Sequence, residues 1–85
     1  MEAKFTEQAL SDLKKLDRVA QKQIVKKLKF YFDAPEPLSF AKKLTNFDDG
    51  NYRFRIGVYR IVFDLSENVI VILRIQHRRN VYRSR

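Results

Sequence analysis

The sequence predicts an α+β domain in which an N-terminal helical hairpin packs on a twisted antiparallel β-sheet. Apolar residues recur at helical spacing in the first forty positions and alternate with polar residues from Tyr52 onward, so the hydrophobic period changes from 3.6 to 2. Helices that precede a run of strands are typical of this class. The 85 residues are 45% apolar, with two glycines and two prolines. This composition predicts a single domain over residues 1–85.

The first two elements are predicted to be helices. Thr6 can cap a helix that begins at Glu7, because its hydroxyl can accept a hydrogen bond from a backbone N–H of the first turn. This helix should run to about Asp17, where Asp17-Arg18 predicts a break, and residues 2–5 are expected to form at best an extended lead-in. Helical spacing of apolar residues marks the buried face of each helix: Leu10, Leu13 and Leu16 in the first, and Ala20, Ile24, Leu28 and Tyr31 in the second.

A loop is predicted to separate the helices from the sheet. The prolines of "DAPEPLSF" end the second helix, because proline lacks a backbone donor and biases the preceding residue toward extended structure. Residues 33–51 are predicted to be mostly loop, in which "AKKLTNF" adds a turn or a short strand.

Three strands are predicted after this loop. Residues 52–56 and 59–65 alternate, and Gly57 between them allows a tight hairpin turn. The sequence "SEN" supplies a second turn. Residues 69–76 form a nearly continuous apolar run, which predicts a central strand buried on both faces.

The charge of the chain predicts a polyanionic partner. Its formal net charge is +8, and residues 50–85 hold eight arginines, no lysine and only two acidic residues. Arginine makes planar, forked contacts with phosphate and stacks on bases, so this half favours nucleic acid. The absence of cysteine from the sequence excludes disulfides and thiolate metal sites. With no long apolar run and no apolar signal block, a cytoplasmic protein without a membrane partner is predicted.

Arginines on the first two strands are the main candidates for chemistry. Arg53 and Arg55 share a face because alternate strand residues point the same way, and Arg60 joins them if the register of the hairpin allows. An alternative interpretation is a solvated strand face. Three arginines without an interleaved glutamate would repel one another unless an anion binds, which favours a phosphate-binding face.

The chain end supplies the titratable candidates. His77 is the only histidine and can transfer a proton near neutral pH, although an ordinary surface histidine is an equally good interpretation. Tyr82 could stack on a base or transfer a proton, or it could anchor the chain end on the sheet. Arg78 and Arg79 could reach the same end of the sheet as the arginine face. One histidine without cysteine leaves too few ligands to predict a metal site or any other cofactor.

The second helix carries a stripe of lysines. Lys22, Lys26 and Lys29 lie at helical spacing. A solvated face opposite the apolar one is the simpler explanation, and diffuse contact with a phosphate backbone is the alternative.

Taken in order, these segments resemble the RelE/ParE superfamily of bacterial and archaeal toxins from toxin–antitoxin pairs. The resemblance spans nearly the whole chain. Its most specific part is the run Tyr-Arg-x-Arg-x-Gly-x-Tyr-Arg, residues 52–60, together with "HRRNVY" after an apolar strand.

The resemblance implies a compact α+β fold and, in the RelE branch, metal-independent cleavage of messenger RNA in the ribosomal A site. There the ribose 2′-hydroxyl attacks the adjacent phosphate, so the site needs a base, an acid and cations. The implied site consists of Arg53, Arg55, Arg60, Arg78 and Tyr82. Some members have lysine at the first two positions, and arginine cannot act as a base, so His77 or Tyr82 is expected to take that role. The match leaves open which of Arg78 and Arg79 takes the role of the tail arginine.

Two other functions remain open at this stage. One is inhibition of DNA gyrase without catalysis, as in the ParE branch, since one fold serves both activities. The other is nucleic-acid binding without toxicity. For either toxin, an acidic antitoxin that folds on binding is the expected partner, beside messenger RNA and ribosomal RNA for the nuclease.

Overall fold

The computed structural model describes residues 2–44 and 51–79. Two helices pack on one face of a five-stranded sheet, which confirms the predicted α+β class. The helices are α1 (Glu7–Lys14) and α2 (Arg18–Asp33), followed by a short 3₁₀ helix (Pro37–Phe40). The strands are β1 (Glu2–Phe5), β2 (Ala41–Lys43), β3 (Tyr52–Ile56), β4 (Tyr59–Ser66) and β5 (Val69–His77).

The sheet is mixed rather than purely antiparallel. Its strand order is β1-β5-β4-β3-β2, and β1 pairs parallel with β5 while all other pairs are antiparallel. Residues 2–5 therefore form an edge strand, and the expectation of a mere lead-in was wrong. Four residues carry too little local signal to predict a strand, and they form one here because they pair with the edge of β5. The segment "AKK" likewise pairs with β3, as the short-strand alternative predicted.

Both helices begin at side-chain caps. The Thr6 hydroxyl accepts a hydrogen bond from the Ala9 N–H, and the Asp17 carboxylate accepts one from the Ala20 N–H at 2.7 Å. These bonds satisfy backbone donors that have no partner within the first turn. The predicted cap at Thr6 and the break before Arg18 are confirmed, although α1 ends three residues earlier than expected.

One hydrophobic core lies between the helices and the sheet. Its fully buried centre includes stacked Phe54 and Phe63, whose ring centroids lie 4.5 Å apart. Helical residues complete the cluster, among them Ala9, Ile24, Leu28 and Tyr31. Burial of these side chains fixes which face of each strand points inward, and it thereby decides which residues occupy the opposite face.

Two tight turns join the three long strands. Gly57 has φ +59° between β3 and β4, a conformation that glycine adopts without steric cost. Glu67 and Asn68 both have positive φ between β4 and β5, as a type I′ turn requires.

Strand β5 is buried on its helix-facing side only, so burial on both faces was a wrong prediction. On β4, by contrast, successive residues of both faces are buried, and Val62 on the side away from the helices is 2% exposed.

A buried carboxylate ties α1 to β5. Asp12 accepts hydrogen bonds from the Ile75 N–H and from the Arg74 Nε, both at 2.9 Å, and from the Gln8 side chain at 3.0 Å. Because β1 pairs with β5 only as far as Ile72, the N–H of Ile75 lies on the part of the edge that β1 does not cover. Asp12 therefore satisfies a sheet-edge donor that would otherwise be buried without a partner.

Candidate functional site

The register of the β3–β4 hairpin brings Arg53, Arg55 and Arg60 to one face of the sheet. Arg55 lies directly across from Arg60, and Arg53 is two residues away on the same side. Phe54 between them points to the opposite side and is fully buried. Directly opposed residues have Cβ atoms about 4.5–5.5 Å apart, so Arg55 and Arg60 concentrate positive charge on the face away from the helices.

Lys42 and Gln76 share this face, and sequence reasoning assigned neither to the site. Lys42 on β2 lies across from Arg53, and Gln76 on β5 lies across from Arg60. Lys42 lies on β2, a segment for which the sequence predicted a short strand only as an alternative to a turn. Gln76 lies within the run predicted to be a buried strand, so its orientation depended on the register. We refer to Lys42, Arg53, Arg55, Arg60 and Gln76 as the arginine face.

The arginine face has a solvent-exposed part and a more sheltered part. Arg55 is exposed, whereas Arg53 and Arg60 are half-buried. Val62, across from Arg53 on the same face, is buried and gives the face an apolar residue. Desolvation of this kind strengthens the attraction between a guanidinium and a bound anion.

Two carboxylates near the sheet have hydrogen-bond partners of their own. Asp64 points to the same side, but its carboxylate accepts a hydrogen bond from the Asn51 N–H at 2.8 Å, toward the other end of β3. Asp12 is held at the edge of β5 by Arg74. Burial alone would raise the pKa of Asp12, but hydrogen bonds from Arg74, Ile75 and Gln8 outweigh it and lower that pKa below its ordinary value. Asp12 therefore stays ionised and paired at neutral pH.

The ring of His77, one of the two residues expected to act as the base, does not lie on the arginine face. It pairs with Tyr59 across β4 and β5, one residue out of phase with the Arg60–Gln76 pair. The rings of Tyr59 and His77 meet edge to face with centroids 5.6 Å apart. Tyr59 packs against the hydrophobic core, so His77 points to the helix side of the sheet.

His77 instead caps the helical backbone that begins directly after β5. Its Nδ1 accepts a hydrogen bond from the Arg79 N–H at 3.1 Å, and the backbone is helical at Arg78 and Arg79. The Arg78 N–H donates to the Val58 carbonyl oxygen at 2.8 Å. A side-chain acceptor two residues before a helical N–H has the geometry of an N-cap. Because Nδ1 accepts, the proton of the neutral ring lies on Nε2.

Arg78 and Arg79 are exposed at the end of β5, beyond Gln76. Together with Val58 and His77 they line a surface cavity of about 620 Å³. The structure thus groups His77 with these arginines but separates its ring from Arg53, Arg55 and Arg60. Tyr82 lies outside the described residues.

The arrangement is suited to binding a phosphodiester. Guanidinium groups donate forked hydrogen bonds to phosphate oxygens, and two opposed arginines can contact two oxygens of one group. Within residues 2–44 and 51–79, no three His, Asp or Glu side chains lie together as metal ligands would. In the same part of the chain, no helix combines the length and apolar character needed to cross a membrane.

Comparison with known families decides the identity of the chain. The family model described as the ParE toxin of type II toxin–antitoxin systems, parDE, matches residues 3–82. The chain belongs to this toxin family, within the RelE/ParE superfamily. The comparison with curated protein sequences finds no significant match.

Three solved structures that are similar to this toxin are toxin–antitoxin complexes. A chain of the RelBE2 toxin–antitoxin complex from Mycobacterium tuberculosis is 31% identical, with a TM-score of 0.74 over 89% of this chain and 95% of that one. A chain of the archaeal RelE–RelB complex from Pyrococcus horikoshii is 26% identical, with a TM-score of 0.69 over 91% and 93%. A chain of the Escherichia coli RelBE complex, 24% identical with a TM-score of 0.68 over 89% and 94%, supports the fold alone.

Proposed function

We propose that this toxin is a ribosome-dependent endoribonuclease that cleaves messenger RNA in the A site. The observation that carries the proposal is the arginine face, where Arg55 and Arg60 lie opposite each other with Arg53 on the same side. In this reaction the ribose 2′-oxygen attacks the adjacent phosphorus, the bond to the 5′-oxygen breaks, and a 2′,3′-cyclic phosphate forms. No electrons are transferred, so the chemistry requires proton transfer and charge stabilisation only.

The arginines supply charge stabilisation. Negative charge on the non-bridging oxygens grows as the fifth bond to phosphorus forms, and fixed cations stabilise that state more than the ground state. Arg53 and Arg60 are half-buried, so their positions are constrained before RNA binds. Arg55, which is exposed, supplies the second guanidinium group opposite Arg60.

Proton transfer is assigned to Tyr82 rather than His77. The His77 ring contacts Tyr59 on the helix side, and its Nδ1 is engaged by the Arg79 N–H. In the proposed step the deprotonated Tyr82 oxygen takes the proton of the 2′-hydroxyl, and the departing 5′-oxygen takes up a proton from solvent water.

The test of the function is translation with purified components and mapping of the message ends. Codon-phased cuts that carry 2′,3′-cyclic phosphate termini are expected when the toxin is present. A message that stays intact while translation proceeds at its normal rate would rule out the proposal.

The paired variants His77→Asn and His77→Ala test whether His77 is a cap or a base. Asparagine is a good N-cap, so His77→Asn should cleave within a few-fold of the wild type, whereas His77→Ala should lose about 1 kcal/mol of capping energy and be less active. A general base contributes about 10²–10⁴-fold. Equal and complete loss of cleavage in both folded variants would assign the base to His77 after all.

A cognate antitoxin is proposed as the protein partner. A groove of about 460 Å³ between α2 and the end of β3 is lined by residues that include Lys26, Lys27, Phe30 and Arg55. Phe30 is 58% exposed there, with the Lys27 Nζ 5.2 Å from its ring centroid. Cations beside an exposed aromatic ring fit an acidic chain that also carries apolar side chains. Co-expression with the neighbouring open reading frame should give a stable complex, and isolation of the toxin alone would argue against it.

Inhibition of DNA gyrase is the second candidate function. Two observations favour it: the matching family model is that of the ParE toxin, and His77 points away from the arginine face. A supercoiling assay separates the two functions. Inhibited gyrase together with an intact message would place this toxin in the non-catalytic branch.

A further inference from the structure

Gln76 is the uncharged member of the arginine face. It lies directly across from Arg60, and Arg60 lies directly across from Arg55, so these three residues form one row over β3, β4 and β5. Neighbouring strands are about 4.8 Å apart, so the row spans roughly 10 Å. A phosphate that is held by the two arginines therefore has Gln76 as its next neighbour toward β5.

Gln76 differs from the rest of the arginine face in its hydrogen-bonding groups. The other four members are lysine or arginine, which can only donate hydrogen bonds, whereas the amide of Gln76 also carries a carbonyl acceptor. The carboxylate of Asp64 points to the same side, but it belongs to a residue about 13 Å along β4 from Arg60 and accepts from the Asn51 N–H. On the arginine face, a ligand group that donates a hydrogen bond beside Arg60 can therefore be received only at Gln76.

The amide of Gln76 is available to a ligand. Gln76 is half-buried, and within residues 2–44 and 51–79 its side chain forms no hydrogen bond. Two other glutamines differ in this respect. The Gln8 Nε2 donates to the Asp12 carboxylate at 3.0 Å, and the Gln21 Nε2 donates to the Leu16 carbonyl oxygen at 2.8 Å.

A group that donates and accepts at once is matched to a nucleobase better than to a phosphate. Phosphate oxygens only accept, and contacts to them position RNA without reading its sequence. The Hoogsteen edge of adenine presents the N6 amino donor beside the N7 acceptor, and a glutamine amide binds both. This edge is accessible in single-stranded RNA. Guanine presents two acceptors there, O6 and N7, which would leave the carbonyl of Gln76 without a donor.

We propose that Gln76 reads the base that flanks the scissile phosphate and makes the toxin favour adenine at that position. The inference rests on the proposed nuclease function and adds to it a sequence preference, which contacts to phosphate alone do not provide. Arg55 and Arg60 hold the phosphate. The Gln76 Oε1 accepts a hydrogen bond from the adenine N6 amino group, and its Nε2 donates one to N7. Gln76 thus acts in base recognition and takes no part in proton transfer.

The first test is cleavage on ribosomes programmed with each of the four bases at the two positions that flank the cut. At one of these positions, the wild type should cleave adenine messages about 5–50-fold faster than the others, within the range of one bidentate base contact. Gln76→Ala should lose this preference, because adenine messages fall to the rate of the others. Gln76→Glu should favour cytosine, since a carboxylate accepts from the cytosine N4 amino group and cannot donate to N7.

Three controls separate a base contact from a general effect. Gln8→Ala makes the same change at an exposed position on α1 and should keep the wild-type base preference. Arg55→Ala removes a proposed phosphate contact and should slow cleavage with all four bases alike. Replacing N7 of the flanking adenine by a C–H group, as in 7-deazaadenosine, should slow the wild type and leave Gln76→Ala unaffected, because both changes remove the same contact.

Binding of 2′-O-methyl oligoribonucleotides, which cannot be cleaved by this reaction, separates the inference from the proposed function. Preferential binding of the adenine oligonucleotide that is lost in Gln76→Ala supports the base contact, and if no message is cut, only the nuclease function fails. Cleavage with the same base preference in the wild type and in Gln76→Ala overturns the inference and leaves the function standing. Equal slowing by Gln76→Ala on all four bases also overturns it, because Gln76 then contacts phosphate or ribose. If the wild type neither cleaves nor prefers adenine in binding, both fail.

Discussion

Arg55→Ala is expected to lower the rate of ribosome-dependent message cleavage by about 10²–10³-fold, the cost of removing one preorganised charge donor from a transition state. The protein should fold normally, because Arg55 is exposed and points away from the core. The effect should appear in the single-turnover rate on programmed ribosomes at saturating toxin. Arg55→Lys should be intermediate, since lysine keeps the charge but not the forked donor geometry.

Lys14→Ala is the matched control for this result. It removes the same charge from an exposed position on α1 and should cleave at nearly the wild-type rate. Similar rates for Arg55→Ala and Lys14→Ala would show that the arginine face has no part in the chemical step. If Arg55→Ala only weakens ribosome binding, the face is a binding surface and not a transition-state clamp.

Asp12→Asn is expected to lower the free energy of unfolding by about 2–3 kcal/mol, the value of charge-assisted hydrogen bonds at a buried site. Asp12 is 9% exposed and accepts from both the Ile75 N–H and the Arg74 guanidinium. The loss stays below that of a fully buried ion pair because the Arg74 side chain is 37% exposed and can be hydrated. Thermal and urea unfolding measure it, and Asp33→Asn, at an exposed carboxylate, should change stability by under about 0.5 kcal/mol.

The pH dependence follows from the lowered pKa of Asp12. Hydrogen bonds from Arg74, Ile75 and Gln8 outweigh burial, which alone would raise the pKa, so the unfolded chain takes up a proton at higher pH than the folded one. The stability that Asp12 contributes is thus complete above the ordinary pKa of about 3.9 and is lost as pH falls through the folded value. Asp12→Asn should flatten the fall in stability below about pH 4. If the stability of Asp12→Asn falls at low pH as steeply as that of the wild type, other carboxylates control acid unfolding.

The helices, the three long strands and their turns could be predicted because each has a local signal. Thr6 and Asp17 cap helices through bonds within three residues, and Gly57 permits a turn by its own φ. The edge strand β1 has no such signal, since four residues gain strand structure only from the edge of β5. The same limit explains why the Asp12–Arg74 pair, 62 residues apart in the chain, was not anticipated.

The sequence by itself determined the alternation that places Arg53 and Arg55 together, because strand residues two apart must share a face. It also predicted the α+β fold, and it fixed the excess of positive charge. Only the tertiary structure decided which residues join those arginines. The shift in register within β4 and β5, near Val62 and Phe63, and the pairing of Tyr59 with His77 set Gln76 on the arginine face and turned His77 toward the helices. The reason is that a displacement of one residue between paired strands reverses the side of every later side chain, and that displacement is fixed by core packing across the sheet.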